Sequence, residues 1–349
     1  MNERLSVAIP CRVDEPGLRA TLESLRVACG HSALLPGLVA ELVICINGVT
    51  PETRCVPLMT VRDFCARYQV PLEERWVEPE TLRTKGRNGE RENGRTGERE
   101  RGEIEAFPDS SLSVVPFPRC TVLLTERRGK PPAWNTLWQW AKSDLVLFVD
   151  ADVRVDSEAV YHLWARLQRE PHLQLVAARE VPVLQDGGTM WSRMGAIPYR
   201  FNFGNAGGRL LMLRKEALTE GMPEDLLLED AWLTVAVGRS RVAKEMQAQV
   251  CFLPPATGCD YFAERVRTEG GKLQIRRLHK GLLAAGPIAQ YQWAEFWREI
   301  RLPEYPLVCL ALVVRLVARL WARLSLTRKN FYALYRPFPS TKGWESSLR

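Results

Sequence analysis

Two aspartates, Asp150 and Asp152, end the stretch SDLVLFVDAD, in which Leu145 to Val149 is an unbroken apolar run. Five apolar residues in a row suit a strand buried on both faces, as in a parallel sheet. Alternate residues on a strand point the same way, so both carboxylates project together from its carboxyl end. Like charges that close repel, and neither loses water cheaply unless a cation lies between them. Mg²⁺ or Mn²⁺ meets that need and completes its shell with phosphate oxygens and water. A solvated turn explains the same residues, because Asp is common after strands. A second acidic pair, Glu229-Asp230, precedes the helical stretch AWLTVAVG. A carboxylate there is normally an N-cap, and capping and chemistry both fit. A third cluster, Glu126-Arg127-Arg128-Gly129-Lys130, reads either as a solvated basic loop or as a partner of the D-x-D.

These groups need a scaffold that brings them together. Leu5–Ile9 is β-compatible and ends at Pro10. Leu18, Leu22 and Leu25 repeat at helical spacing behind Asp14-Glu15-Pro16, and Leu42–Ile46 is a second buried strand closed by Asn47-Gly48. Strand, helix, strand is a βαβ unit, which builds parallel sheets whose ligands bind beyond the carboxyl ends of the strands. Arg12, Asp14, Glu15, Asn47 and the D-x-D therefore share one rim. The pattern continues with a helix over Pro51–Tyr68, strands at Leu72–Val77 and Cys120–Thr125, and a helix over Asn135–Lys142. Asp156 is placed to cap a helix burying Ala159, Val160, Leu163 and Leu167, with His162 on its other face. Strands at Leu173–Ala178 and, after Gly207-Gly208, at Leu210–Leu213 follow.

At 349 residues, 46% hydrophobic and 26% charged, the chain has room for one large α/β domain with an appendage. The net charge of +7 invites an anionic partner such as nucleotide phosphates or an anionic membrane. The nine cysteines form no C-x-x-C pair, and Cys45, Cys251 and Cys309 lie in apolar runs. Such residues act as small buried hydrophobes, which fits a reducing cytosol. No signal peptide is expected, because the chain goes straight into strand-like sequence. Residues 83–103 hold seven basic and five acidic side chains and nothing apolar but glycine. Such a segment cannot offset its ordering entropy, so a dispensable disordered insertion is expected over 83–111. Interleaved Glu and missing aromatics argue against nucleic-acid binding there.

The order of these features resembles the family 2 glycosyltransferases of the GT-A fold. A nucleotide-binding βαβ half is followed by Arg/Lys-Gly, a buried strand into D-x-D, Glu-Asp before a helix, and Gln274-Ile275-Arg276-Arg277-Leu278. The last resembles the family's Q-x-x-R-W, with Leu278 in place of Trp. The resemblance implies that Asp150 meets the nucleotide ribose and that Asp152 holds a metal bridging the diphosphate. It makes Asp230, beside Glu229, the base that deprotonates the acceptor hydroxyl. Gln274 and Arg277 would touch diphosphate or acceptor from a closing loop, with His279 as a third metal ligand or an ordinary surface histidine. Donor contacts would also come from Pro10, Arg12, the acidic pair Asp14 and Glu15, Lys130 and Ala151. Ile46-Asn47 replace the acidic pair that usually follows the second strand, so Asn47 either reads the base through its amide or makes the turn.

Beyond residue 290 the composition changes to aromatics, an apolar run Leu307–Val314 and arginines at 315, 319 and 323. The run is far short of the ~20 residues that span a bilayer. An amphipathic helix over 303–328 would place Leu307, Leu310, Val314, Val317 and Trp321 against an anionic membrane, with the arginines in one stripe. Packing on the protein's own surface is the alternative.

The sequence thus predicts an α/β GT-A fold: a Rossmann-like, mostly parallel sheet flanked by helices, with a C-terminal amphipathic helical appendage. Residues 1–285 would be the transferase domain (1–155 the nucleotide-sugar half, 156–285 the acceptor half) and 286–349 the appendage. The expected reaction is inverting, Mg²⁺- or Mn²⁺-dependent transfer from a nucleotide-diphosphate sugar to an acceptor hydroxyl, with a lipid-linked acceptor as one option. The expected location is the cytoplasmic membrane face, with peripheral contact and no nucleic acid. A membrane- or nucleic-acid-associated binding protein on a degenerate GT-A scaffold is an alternative. So is a sugar nucleotidyltransferase, although Pro10-Cys11-Arg12-Val13 offers no Gly-rich phosphate loop.

Overall fold

The computed structural model describes residues 3–31, 34, 37–50, 52–53, 55–77, 116–201, 206–278, 297–298, 300–325 and 341. The expected insertion over 83–111 and His279 lie outside the described residues. The elements run β1 (Leu5–Arg12), α1 (Leu18–Cys29), β2 (Val39–Asn47), α2 (Val56–Arg67), β3 (Leu72–Trp76), β4 (Cys120–Thr125), α3 (Lys130–Trp140), β5 (Leu145–Val149) and β6 (Arg154–Val155). They continue with α4 (Ala159–Arg169), β7 (Leu175–Pro182), α5 (Met190–Ala196), β8 (Leu210–Arg214), α6 (Glu229–Val237), β9 (Val242–Phe252), α7 (Gly258–Leu278) and α8 (Tyr305–Ser325).

One sheet holds the strands in the order β3-β4-β2-β1-β5-β8-β7-β9-β6. Pairing is parallel from β3 through β5 and between β7 and β9; β8 runs antiparallel to both its neighbours, and β6 to β9. The side chains of β5 divide by parity. Leu145, Leu147 and Val149 join the core beneath α1 and α4, whereas Val146 and Phe148 face α3. Phe148 stacks on Trp134 at 4.3 Å between ring centroids, so burial on both faces accounts for the unbroken apolar run.

Several boundaries differ from the expectation. β1 runs through Pro10 to Arg12, because its pairing with β5 stops at Ala8 while that with β2 continues. A proline is tolerated where a strand is paired on one side only. The helix expected over Pro51–Tyr68 begins at Val56, and β7 extends to Pro182. α3 begins at Lys130, five residues before Asn135, because Pro131 and Pro132 occupy the first turn, where a missing N–H is harmless. Ala159, Val160, Leu163 and Leu167 are buried as expected, but the N-cap is Glu158 rather than Asp156, whose side chain accepts from Glu158 N at 3.1 Å one turn short of the helix. Cys45 is buried, but Cys251 is half-buried and Cys309 exposed, so the cysteines are not uniformly core residues.

α8 packs along α7. Ala318 and Ala322 meet Val266, Val308 joins Ile197 and Phe201, Arg315 Nε lies 2.9 Å from the buried Glu269, and Glu304 pairs with Arg200. Arg315 therefore faces the protein and does not belong to a solvated stripe. Of the apolar face predicted from the sequence, only Val317 and Trp321 are exposed. The exposed face instead carries Val313, Leu316, Val317, Leu320, Trp321 and Leu324, at helical spacing. No described helix is long and apolar enough to cross a membrane.

Candidate active site

The carboxyl ends of β1, β2 and β5 open into a cavity of about 710 Å³ lined by Pro10, Arg12, Asp14, Glu15, Asn47, Arg128, Lys130, Asp150, Ala151 and Asp152, among others. The D-x-D is fixed from both sides. Asp150 N donates to Arg209 O at 2.9 Å, and immediately after the motif Val153 N donates to Thr21 Oγ1 at 3.1 Å. Thr21 Oγ1 donates back to Val153 O at 2.7 Å, and Val155 N to Ser24 Oγ at 3.0 Å. A Cβ on Gly17 would lie 3.0 Å from Asp152 Cα, so a side chain there would push α1 and the motif apart by a few tenths of an ångström. Glu15 Oε1 accepts from Gly17 N at 3.0 Å, and Arg12 pairs with Asp14 at 2.5 Å. Asn47 Nδ2 donates to Gly129 O at 3.3 Å, which joins the β2 turn to the start of α3.

Lys130 Nζ lies 2.7 Å from both Asp150 Oδ1 and Glu229 Oε1. The cation demanded by the D-x-D is thus, at Asp150, a lysine. Burial pushes Lys130 down, but the two carboxylates outweigh it and hold its ammonium well above the ordinary lysine range. Burial also raises Glu229, yet Lys130 and Arg267 hold it below its usual value. Asp150 ends above its ordinary value, raised by burial against the pull of Lys130 and raised again by Asp152.

Glu229 and Asp230 are the first two residues of α6, and the N-cap is Leu228, so Asp230 is not the cap. Its Oδ1 accepts from Ala231 N at 2.8 Å. Burial, then Glu229 and Glu180, push Asp230 up to about 6. It lines a second cavity of about 320 Å³ together with Glu180, Gly207, Gly208 and Lys244. Lys130, Asp150, Arg209, Glu264 and Arg267 line both cavities and form the wall between them.

The loop leading into α6 is held at both ends. Asn135 exchanges two 2.8 Å hydrogen bonds with the backbone of Met222. Gln274 Oε1 accepts from Leu227 N at 3.0 Å, and its Nε2 donates to Asp225 O at 2.7 Å. The Gln274-to-Arg277 segment is therefore not a closing loop: it lies within α7. Gln274 is 2% exposed and bonded to backbone, and Arg277 is exposed and lines neither cavity. Gln274 acts by positioning the loop before Glu229-Asp230. Sequence reasoning missed Arg209, Glu180 and Lys244. Arg209 is held by Glu180 at 2.9 Å and lies 3.6 Å from the centre of the Phe252 ring. The glycines before it carried a signal, since a Cβ on Gly207 would meet Glu180 at 2.8 Å.

The donor set suits a hard cation. Among the described residues no three His, Cys, Asp or Glu side chains gather, so an ion at Asp152 and Asp150 would draw other ligands from a bound diphosphate and water.

Residues 109–218 match the family model for glycosyl transferase family 2. Over that segment the chain is similar to the family 2 glycosyltransferases. The mannosyltransferase PcManGT from Pyrobaculum calidifontis, solved with GDP-Man and Mn²⁺, is similar at 16% identity and a TM-score of 0.50, over 96% of this chain and 82% of that one. S. aureus TarS is similar at 15% identity and a TM-score of 0.44, over 95% of this chain and 50% of that one. TarS 1–349 with UDP-GlcNAc gives 14% and 0.44, over 90% and 81%. No curated protein matches the chain. The chain has the GT-A architecture: a central, mostly parallel sheet between helices with its candidate site at the strand ends.

Proposed function

We propose that this transferase moves a sugar, with inversion, from a nucleotide-diphosphate sugar in the larger cavity to an acceptor hydroxyl in the smaller one. The observation that carries this is the shared wall, with Asp152 on the larger side and Asp230 on the smaller. Asp230, near pH 6 in its ionisation, takes the proton of the acceptor hydroxyl. The hydroxyl oxygen then bonds to the anomeric carbon from the face opposite the departing diphosphate. Arg12, Arg128 and Arg267 face that leaving group. Mg²⁺ or Mn²⁺, held by Asp152 and Asp150, would supply further neutralisation of the diphosphate charge. Lys130 fixes Asp150 and Glu229 relative to one another, which keeps the donor and acceptor sides in register.

The finer reading concerns location. The exposed apolar face of α8, flanked by Arg319 and Arg323 on a chain of net charge +7, suits an anionic lipid surface at the cytoplasmic membrane face. The acceptor is then lipid-linked.

The test is a panel of nucleotide sugars with Mn²⁺ or Mg²⁺, scored by thermal shift and donor hydrolysis. GDP-Man and Mn²⁺, which the Pyrobaculum mannosyltransferase holds, come first. A donor at ~100 times its dissociation constant adds about 2.7 kcal/mol to stability. A protein that no donor stabilises or that hydrolyses none would overturn the assignment in favour of a binding protein.

A further inference from the structure

The smaller cavity does not end at Asp230. From Asp230 and Glu180 it extends past Met194, Ile197 and Phe201 to Val308, Ala311 and Leu312 of α8. Leu312 and Val313 then begin the exposed apolar face. Apolar side chains therefore line one side of the cavity from α8 toward the carboxylate, opposite the ion-paired Arg265, Lys272 and Arg315 that line it as well. The cations within the cavity are nearly all committed: Arg209 to Glu180, Lys130 to Asp150 and Glu229, Arg265 to Glu264, and Lys272 with Arg315 to Glu269. Lys244, projecting from β9, closes no ion pair among the described residues, although Glu180 and Asp230 act on it from a distance. Burial holds its ammonium below the ordinary lysine range, so an anion beside it would gain a cation without losing an existing pair.

We infer that this cavity takes the acceptor as a single-chain amphiphile, with an anionic group against Lys244, the reacting hydroxyl at Asp230, and the tail leaving beneath Ala311 and Leu312 into the lipid surface. The inference rests on the proposed roles of Asp230 and of α8 and adds the acceptor's chemical class and its route.

The experiment uses the full chain on phosphatidylglycerol vesicles doped with a single-chain alkyl phosphate whose tail carries a diazirine. After irradiation, labelled residues are located by mass spectrometry. Labels are expected on the outer face at Leu316 and Leu320 and also inside, at Ile197, Met194 and Val308. Lys244→Gln should reduce the inner labels about tenfold, the ratio expected for loss of one charge-assisted contact, and leave the outer ones unchanged. Ala311→Trp should block the inner labels by filling the passage; if it does not fold, Lys244→Gln alone decides. Outer labels without inner ones would overturn this inference while leaving the membrane reading in place. Inner labels that a neutral, hydroxyl-headed probe reproduces at equal strength, or that survive Lys244→Gln, would overturn the anionic head. No labels anywhere would overturn the membrane reading and this inference together.

Discussion

The ammonium of Lys130 lies 2.7 Å from Asp150, so the first carboxylate of the D-x-D is neutralised by the protein itself. The same ammonium reaches Glu229, next to the proposed base, and so connects two sequence motifs about eighty residues apart. Lys130→Met should leave Asp150 buried without its cation and Glu229 with Arg267 alone to offset its charge, at about 3 kcal/mol, the lower end for breaking a buried pair. Glu229, held below its usual value, contributes stability that is present above its unfolded pKa and is lost as pH falls through its folded one. The deficit of the variant should therefore be largest near neutrality and shrink toward acid pH. Melting temperatures of both proteins across pH check this, and a deficit that does not change with pH would refute it.

Asp230→Asn should lower turnover by ~10² to 10⁴ while leaving donor affinity near wild type, as expected for a lost general base. In the wild type kcat/KM should rise with pH through about 6 and then level, since the ionised carboxylate is the active form. Stability has the opposite sign. A raised carboxyl contributes most below its unfolded pKa and loses that contribution as pH rises through about 6. The Asn variant should therefore melt no lower than wild type at pH ~8, because its amide never ionises. A near-wild-type rate would show that the carboxylate only serves the first turn of α6.

Asp152→Asn removes one of two neighbouring like charges, so the fold should be unaffected. Binding of nucleotide sugar that depends on Mg²⁺ or Mn²⁺ should disappear. Calorimetry with and without chelator separates the cases, and binding indifferent to both would exclude Asp152 as a ligand.

Gln274→Leu should destabilise the protein by about 1 to 3 kcal/mol, because Leu227 N and Asp225 O are left without their partner. Its effect on kcat should exceed that on donor affinity, since the loop it holds carries the proposed base rather than the D-x-D. Equal losses in both would instead indicate direct contact with the donor.

Leu316→Ser with Leu320→Ser should release the protein from anionic vesicles without lowering its melting temperature, because both side chains are more than half exposed. Arg315→Glu, by contrast, should destabilise the fold, since it places a carboxylate beside buried Glu269. Flotation and melting curves read the two effects separately.

The parallel half of the fold was legible because its strands are buried on both faces and so appear as unbroken apolar runs. Pro131 and Pro132 concealed the true start of α3, being compatible with both a loop and a first helical turn. Much of the smaller cavity was not legible. Glu180, Arg209 and Lys244 are isolated charges on separate strands or strand edges, and only tertiary pairing distinguishes them from solvated residues. The face of α8 was misassigned for a similar reason. Helical spacing put Arg315 with Arg319 and Arg323, but Glu269, some forty-six positions away, draws it inward.

The strand β8, wedged antiparallel between β5 and β7, also governs how the protein comes apart. Only four residues separate β5 from β6, yet β6 closes the far edge of the sheet against β9. A cut after Val155 would strip β5 of one neighbour and leave β6 without any, exposing backbone edges on both fragments. The two halves of the sheet should therefore melt in a single cooperative transition. Neither fragment would fold alone, whereas the two expressed together would have the complementary edges needed to reassemble.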